Sequence, residues 1–486
     1  MHDRIKSRSR REIPAVNKVL DALGHYDLPR PMIVDLVRRE LSKMRTKGKI
    51  PEFRSILNLI RRAVEEIRAS RLQPVVNGTG IVMHTNFGRA PLAAEAVRAL
   101  GELGSGYSNL EYDLRTGDRG SRGAYIEHAF ALLCGAESAT IINNCAAALV
   151  LIVRHFSRRN SEHGTRLRAA AARQASNAER RSEVVISRGE MVQIGGGFRI
   201  GEIIEAAGAK LREVGATNKT TLNDYAKAIG RNTALILKVH RSNFFMSGFV
   251  ESPSATALAA LARKKRIPFV ADLGSGAIVA TEQFGIDEHE PTPAEALKDG
   301  ADLVCFSGDK LFGGPQAGII AGKKRFISAL KGEPLFRALR CDKLAFAALQ
   351  ATVDLHLHQS TSEIPVLALL RISVHQLRAR AEAIAGLLRG LPLQMAIGRG
   401  TVKAGGGTLP KSRLPSVTID ILPDSRSVTE FAATLRASSP PVIGYISNGR
   451  FKLDLRTIFP QQDDAVVDAI RAACAVTVAS RESSHR

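Results

Sequence analysis

ADLVCFSGDKLFGGPQAGIIAG, residues 301–322, runs from an apolar strand into a polar turn holding a single lysine, Lys310, and passes Gly313-Gly314-Pro315 before a second apolar strand begins. Open α/β sheets place their ligands at the carboxyl ends of their strands, which is where this lysine falls. Lysine serves covalent chemistry on carbonyl compounds because its amine forms a Schiff base once desolvation or a neighbouring cation lowers its pKa. Standing alone, S-G-D-K reads first as a solvated turn. Its surroundings change that reading.

About forty residues upstream, FVADLGSG (269–276) brings Asp272 to the end of an apolar strand at the same sheet edge. A carboxylate there keeps a pyridinium nitrogen protonated, the condition under which pyridoxal phosphate is an electron sink. Ser307, three residues before Lys310, sets a hydroxyl within reach of a phosphate. IINNCAAALVLI (141–152) offers a second cradle: the amides of Cys145, Ala146 and Ala147 open a helix whose dipole favours an anion. Taken singly, Asp272 reads equally as an N-cap and Asn143-Asn144 as an ordinary turn. Cradle, acidic strand end and lysine strand, in that chain order, are the layout of the aminotransferase-like (fold type I) pyridoxal phosphate enzymes, an α/β class with a mostly parallel sheet.

The rest of the chain fits such a frame. Short β-rich runs (SATIIN, EVVISR, KLREVG, ALILKVH, PFVADLG, ADLVCFS, AGIIAG) alternate with Ala/Leu-rich helical runs such as SATALAALARKKR, the signature of βαβ units. Before them, LPRPMIVDLVRREL and FRSILNLIRRAVEEIRASRL carry apolar residues at helical spacing, with a turn predicted at MRTKGKIP. After them come amphipathic stretches from Asp342 to Leu388, then SVTIDIL and GRFKLDLRTI as strands and DDAVVDAIRAACAV as a terminal helix. The organisation expected is a basic helical domain over 1–72, a catalytic domain over 73–360 and a small C-terminal α/β domain over 361–486. The segment Ser157–Ser182 has no large apolar face and reads as a mobile or weakly helical surface insertion.

Length and charge narrow the function classes. A chain of 486 residues exceeds what one core supports, and with 5% aromatic residues and no Trp its interior must be built from Ala, Leu, Ile and Val. A net charge of +22 draws polyanions, unless it reflects only an arginine-rich solvated surface. Its distribution favours the first reading: residues 1–72 hold 18 Lys/Arg against 9 Asp/Glu, and residues 151–183 hold 8 against 3. The five cysteines are odd in number and never form C-x-x-C, which argues against a disulfide framework or a zinc site. Without a signal peptide or an eighteen-residue apolar run, a cytoplasmic protein with no membrane span is expected.

Several motifs, in order, closely resemble the bacterial L-seryl-tRNA(Sec) selenium transferase family: VVNGTGIVMHTNFGRAPL (75–92), SNLEYDLRTGDRGSR (108–122), NNCAAA (143–148), VISRGEMVQIGGGFRI (185–200), GATNKT (215–220), VHRSNF (239–244), DLGSG, SGDKLFGGPQAG and PLFRALRCDKL (334–344). The resemblance runs from about Ile13 to Thr457. It implies pyridoxal 5'-phosphate on Lys310, Asp272 against the pyridine nitrogen, and Asn144, Cys145, Ala146 and Ser307 around the phosphate. It assigns Arg89, Arg337 and Arg340 to the anionic selenium donor, and three guanidinium forks suit a tetrahedral anion such as selenophosphate. His84 either contacts the cofactor or is a satisfied structural histidine.

The activity implied is conversion of L-seryl-tRNA(Sec) to L-selenocysteinyl-tRNA(Sec) by dehydration to aminoacrylyl-tRNA and addition of selenium. By the same resemblance, the basic segment 1–72 binds the tRNA and the chain assembles as a homo-oligomer, a ring of dimers. Two departures stand out, the long Arg/Ala-rich insertion and Arg241 in place of a small hydroxyl residue, and neither removes a catalytic group. The competing readings are a pyridoxal lyase or desulfurase acting on a free amino acid, and a tRNA-binding protein that has lost its chemistry.

Overall fold

The computed structural model describes residues 13–47, 51–168 and 182–482. Gly48, in the turn predicted at MRTKGKIP, and most of the insertion expected at 157–182 lie outside the described residues. The backbone of the helix that enters the insertion is described to Arg168.

The chain divides into two compact units, one of the described residues through Val76 together with Ala433–Val442, the other of Asn77–Ala432 and Ile443 onward. In the first unit, α1 (Val16–Leu23), α2 (Arg30–Lys47) and α3 (Phe53–Ala69) form a small bundle. Val19, Leu36, Val37, Leu41, Ile56, Ile60 and Val64 fill its interior because they recur at three- and four-residue spacing. The intervening cations Arg38, Arg54 and Arg62 stay exposed.

The strands that build the two larger sheets of the second unit are β1 (Ile81–Met83), β2 (Ser138–Ile142), β3 (Glu183–Ser187), β4 (Lys210–Val214), β5 (Thr233–Val239), β6 (Phe269–Gly274), β7 (Leu303–Ser307), β8 (Gly318–Gly322), β9 (Leu393–Gly405), β10 (Leu414–Pro423), β11 (Tyr445–Ser447) and β12 (Arg450–Asp454). Among the described residues, the seven runs read as strands form one sheet, ordered β2-β8-β7-β6-β5-β3-β4. β8 is antiparallel to both its neighbours, and every other pairing is parallel. The ten-residue turn joining β7 to β8 is too short for a crossover helix, so the second strand returns antiparallel.

Alternation of side chains splits the core into two layers. Ile236, Ala271, Leu273, Val304 and Phe306 pack on one face with Phe130, Tyr225 and Leu258. Leu235, Leu237, Val270, Leu303 and Cys305 pack on the other with Leu149 and Ile152 of α4 (Cys145–Arg168). The same period puts Asp272 on the α4 face, opposite Cys305 in the β6–β7 register. A second sheet, ordered β11-β12-β10-β9-β1, is built on the β9–β10 hairpin, and β1 joins it parallel to β9. Among the described residues no helix is long and apolar enough to cross a membrane.

Candidate active site

The carboxyl ends of β2, β6 and β7 share one sheet edge, and the chain leaves each of them into the site. A cavity of about 240 Å³ opens there, walled by Arg89, Asn144, Cys145, Ala146, Asp272, Ser307, Lys310 and their neighbours. Residues drawn from some 230 positions of sequence thus meet in one concave space, the form ligand sites take.

Lys310 is held in place by its backbone. Gly308 N–H donates to Ala317 O at 2.9 Å, Leu311 N–H to Ser275 O at 3.0 Å, and Gly313 N–H to Lys310 O at 2.9 Å. The side chain is 4% exposed. Burial holds its amine below the ordinary lysine range, and the Arg89 guanidinium pushes the same way against the pull of Cys145, Asp272 and Asp309. A buried amine whose charged form is disfavoured is closer to a nucleophile than a solvated turn lysine is. Beside it, Gly274 adopts the left-handed region at φ +67°, which glycine enters without strain.

Asp272 faces the cavity from the floor. Burial drives its carboxyl above the ordinary range, more strongly than Lys310 and the thiols of Cys145 and Cys305 draw it down. Its thiol partner Cys145 Sγ is a weak donor at 3.7 Å from Oδ1, and the ligand atoms of Cys145, Asp272 and Cys305 lie within 4.8 Å of one another. A desolvated carboxylate with so little hydrogen bonding is completed by a cationic N–H, and a protonated pyridine nitrogen is one. Above it, α4 starts at Cys145 with no acid in its first turn, so its dipole offers positive potential to a phosphate. A Cβ on Gly318 of β8 would fall 2.3 Å from Asn144 O, a close approach that seats this helix end. Lysine, acid and anion cradle therefore fit pyridoxal phosphate.

One detail of the expected cradle is corrected. Asn144 Oδ1 accepts the Ala147 N–H at 2.8 Å, so that amide serves the helix cap, and the amides of Cys145 and Ala146 remain for a phosphate. Ser307 lines the cavity.

The arginines separate. Arg89 lines the cavity and is fixed twice, by backbone in the left-handed region at φ +66° and by a 2.8 Å ion pair from its Nη1 to Asp309 Oδ2. Arg337 is exposed on the short helix Pro334–Ala338, and Arg340 lies 3.7 Å from Glu111, which also pairs with Arg119 and Arg122. Neither belongs to the described cavity wall, although Asn143 N–H donates to Leu339 O at 2.9 Å and draws that segment to the cradle's edge. His84 also lies outside the wall: its Nδ1 accepts from Asn86 N–H at 3.3 Å and its ring stacks on Phe87 at 4.0 Å, both local contacts. Sequence reasoning passed over Asp309, Gly195 and Gln316, all of them cavity residues. Each sits inside one of the family motifs, and Asp309 precedes the lysine itself.

A mixed seven-stranded sheet with this lysine, acid and helix end at its carboxyl edge is the architecture of a fold type I pyridoxal phosphate enzyme. A solved structure of D-glucosaminate-6-phosphate ammonia-lyase has the same fold, with a TM-score of 0.56 at 22% identity over 84% of this chain and 97% of that one. The family model for L-seryl-tRNA selenium transferase matches residues 75–163 and 169–459, and the chain belongs to that family. Relatives named L-seryl-tRNA(Sec) selenium transferase include one from Carboxydothermus hydrogenoformans, 43% identical over 93% of this chain and 95% of the relative. Another, from Geobacter sulfurreducens, is 40% identical over 94% and 98%.

Proposed function

We propose that this chain converts L-seryl-tRNA(Sec) to L-selenocysteinyl-tRNA(Sec), with pyridoxal phosphate held by Lys310, Asp272, Asn144, Cys145, Ala146 and Ser307, and with selenophosphate as the selenium donor. The observation that carries this reading is the buried amine of Lys310 in a cavity floored by Asp272, in a chain of this family.

When bound, the cofactor supplies an electron sink for charge developing at the serine Cα. Asp272 would hold the ring nitrogen protonated through its carboxylate. The Lys310 amine, whose charged form burial disfavours, would take the Cα proton and pass it to the hydroxyl, which leaves Cβ as water; selenium from the donor then adds at that carbon as its bond to phosphorus is broken by water and phosphate leaves, and Cα regains a proton. Arg89 orients the donor: Asp309 engages one guanidinium nitrogen and leaves other donors for a tetrahedral anion. Arg337 and Arg340 stand ready at the neighbouring edge for the same anion.

Hydrogen bonds to charged groups contribute about 1.5–3 kcal/mol. Arg89→Ala is therefore expected to raise the KM for selenophosphate ten- to a hundredfold, by about that range, with cofactor absorbance unchanged. Steady-state kinetics alongside a spectrum check this, and an unchanged KM removes Arg89 from the donor site.

The proposal keeps the three-part organisation 1–72, 73–360 and 361–486, with the first part binding the tRNA, a cytoplasmic location, and assembly as a ring of dimers. If the helical bundle carries the RNA, replacing Arg38, Arg54 and Arg62 with alanine weakens tRNA binding and flattens the slope of log affinity against log salt by about one for each phosphate no longer neutralised. Titrations at several salt concentrations measure this, and an unchanged slope locates the RNA elsewhere. Selenium transfer is expected from seryl-tRNA and not from free serine. Turnover of free serine without RNA would favour the lyase reading.

A further inference from the structure

We infer that the groove beside the active site, between the segment after β5 and the loop at residues 410–415, holds the unpaired 3' end of the aminoacylated RNA, with Phe245 as the ring on which a base stacks. This rests on the reading that an RNA-borne seryl group reaches Lys310.

The groove encloses about 660 Å³, larger than the cofactor cavity, and is lined by Arg241, Phe245, His289, Lys411 and Arg413 among others. Phe245 is 51% exposed, an unusual position for a phenylalanine outside an interface or binding site. The Lys411 ammonium sits 5.8 Å from the centre of its ring. An exposed aromatic flanked by cations is how sequence-tolerant sites hold single-stranded nucleic acid, the ring taking a base and the cations the phosphates.

The acids of the groove are Asp287 and Glu288, and Glu288 is engaged in building it. Its Oε2 accepts from Lys411 N–H at 3.0 Å, Ser412 N–H at 2.8 Å and Ser412 Oγ at 2.7 Å. Next to the groove, the buried Glu290 accepts from Leu409 N–H at 3.3 Å through Oε2, while its Oε1 lies 3.0 Å from His240 Nε2 without hydrogen-bond geometry. The groove is thus preformed, and Arg241, Lys411 and Arg413 outnumber its acids.

Its position supplies the connection to chemistry. His240 N–H donates to Asp272 O at 2.9 Å, and Ser242 Oγ and Lys310 Nζ both fall within 4 Å of the point where a Gly274 Cβ would stand. The short segment His240–Ser242 therefore runs from the groove wall, which His240 and Arg241 line, to the neighbourhood of Lys310. A seryl group at Lys310 places the nucleotides that carry it at this wall.

Fluorescence anisotropy of the cofactor-loaded protein with an RNA hairpin bearing a single-stranded 3' tail, compared with the blunt hairpin, measures what the tail adds. The tail is expected to tighten binding to the wild type; Phe245→Ala weakens that gain about tenfold, within the range for one stacked base. Phe245→Trp preserves it, and Lys411→Glu reduces it most at low salt. Cofactor absorbance stays the same in all three variants. A tail gain that survives Phe245→Ala undiminished overturns the inference. So does a Phe245→Ala assembly of altered mass, which would make this face a contact between copies. A wild type with cofactor on Lys310 and no tail gain sinks this inference alone, whereas failure to find cofactor on Lys310 sinks the reading beneath it.

Discussion

Lys310→Ala is expected to lower selenium transfer at least about a thousandfold, since the variant loses both the covalent attachment and the proton acceptor at Cα, and general acid–base catalysis alone contributes about 10²–10⁴. The visible absorbance of the lysine-bound cofactor disappears with it. Fold stability moves the other way. The amine's pKa is lowered in the folded chain from an ordinary 10.5, so the unfolded chain binds the extra proton and cofactor-free wild type gains stability as pH rises through that window. Lys310→Ala lacks this rise and melts no lower than wild type at neutral pH. Thermal melts across pH with the cofactor removed test this, and a collapsed fold at neutral pH would mean that lost activity says nothing about chemistry.

Asp272→Asn carries the second large effect. It keeps the shape of the floor but removes the charge that holds the ring nitrogen protonated, and deleting one preorganised electrostatic partner typically costs about 10²–10³ in rate. The signature is a fall in kcat with cofactor still attached to Lys310. Here the linkage has the opposite sign from lysine: the Asp272 pKa is raised above 3.8 on folding, so the folded chain holds the extra proton and stability without cofactor falls as pH rises through that range. The Asn variant escapes this fall and is at least as stable as wild type at neutral pH without cofactor. A carboxylate that destabilises the empty fold is retained for what it does to a ligand. An Asn variant with unchanged kcat would remove Asp272 from the mechanism.

Most of the main sheet was legible because its strands, the largely exposed β4 apart, are buried on both faces and read as short apolar runs between turn residues. SATII, EVVIS, KLREV, TALILKV, FVADLG, LVCFS and GIIAG all became its strands. The direction of β8 was not legible, since pairing sense follows from connection length and neighbour, not from the run itself. β9 escaped the reading because Gly398, Gly400 and Gly405 interrupt the alternation that marks a half-buried strand. β1 is three residues long and finds its partner more than three hundred residues away.

At the site, Lys310, Asp272 and the α4 end were readable from local chemistry at strand and helix termini. The contact of Asp272 with Cys145 and Cys305 was not, because register alone sets it. Nor was the choice among arginines: the motifs named three, and only the fold separates Arg89, locked to Asp309 inside the cavity, from Arg337 and Arg340 at its edge. The capping role of Asn144 was hidden for a similar reason. Its side chain caps the helix while the residue lines the cavity, and sequence gives no measure of which N–H it takes.

The central claim is that the amine of residue 310 carries the cofactor as an imine. Borohydride reduction of the purified protein followed by proteolysis and mass mapping tests it most directly. The account predicts a single pyridoxyl mark on the peptide containing Ser307–Leu311; a mark on another lysine, or none in protein supplied with pyridoxal phosphate, would contradict it.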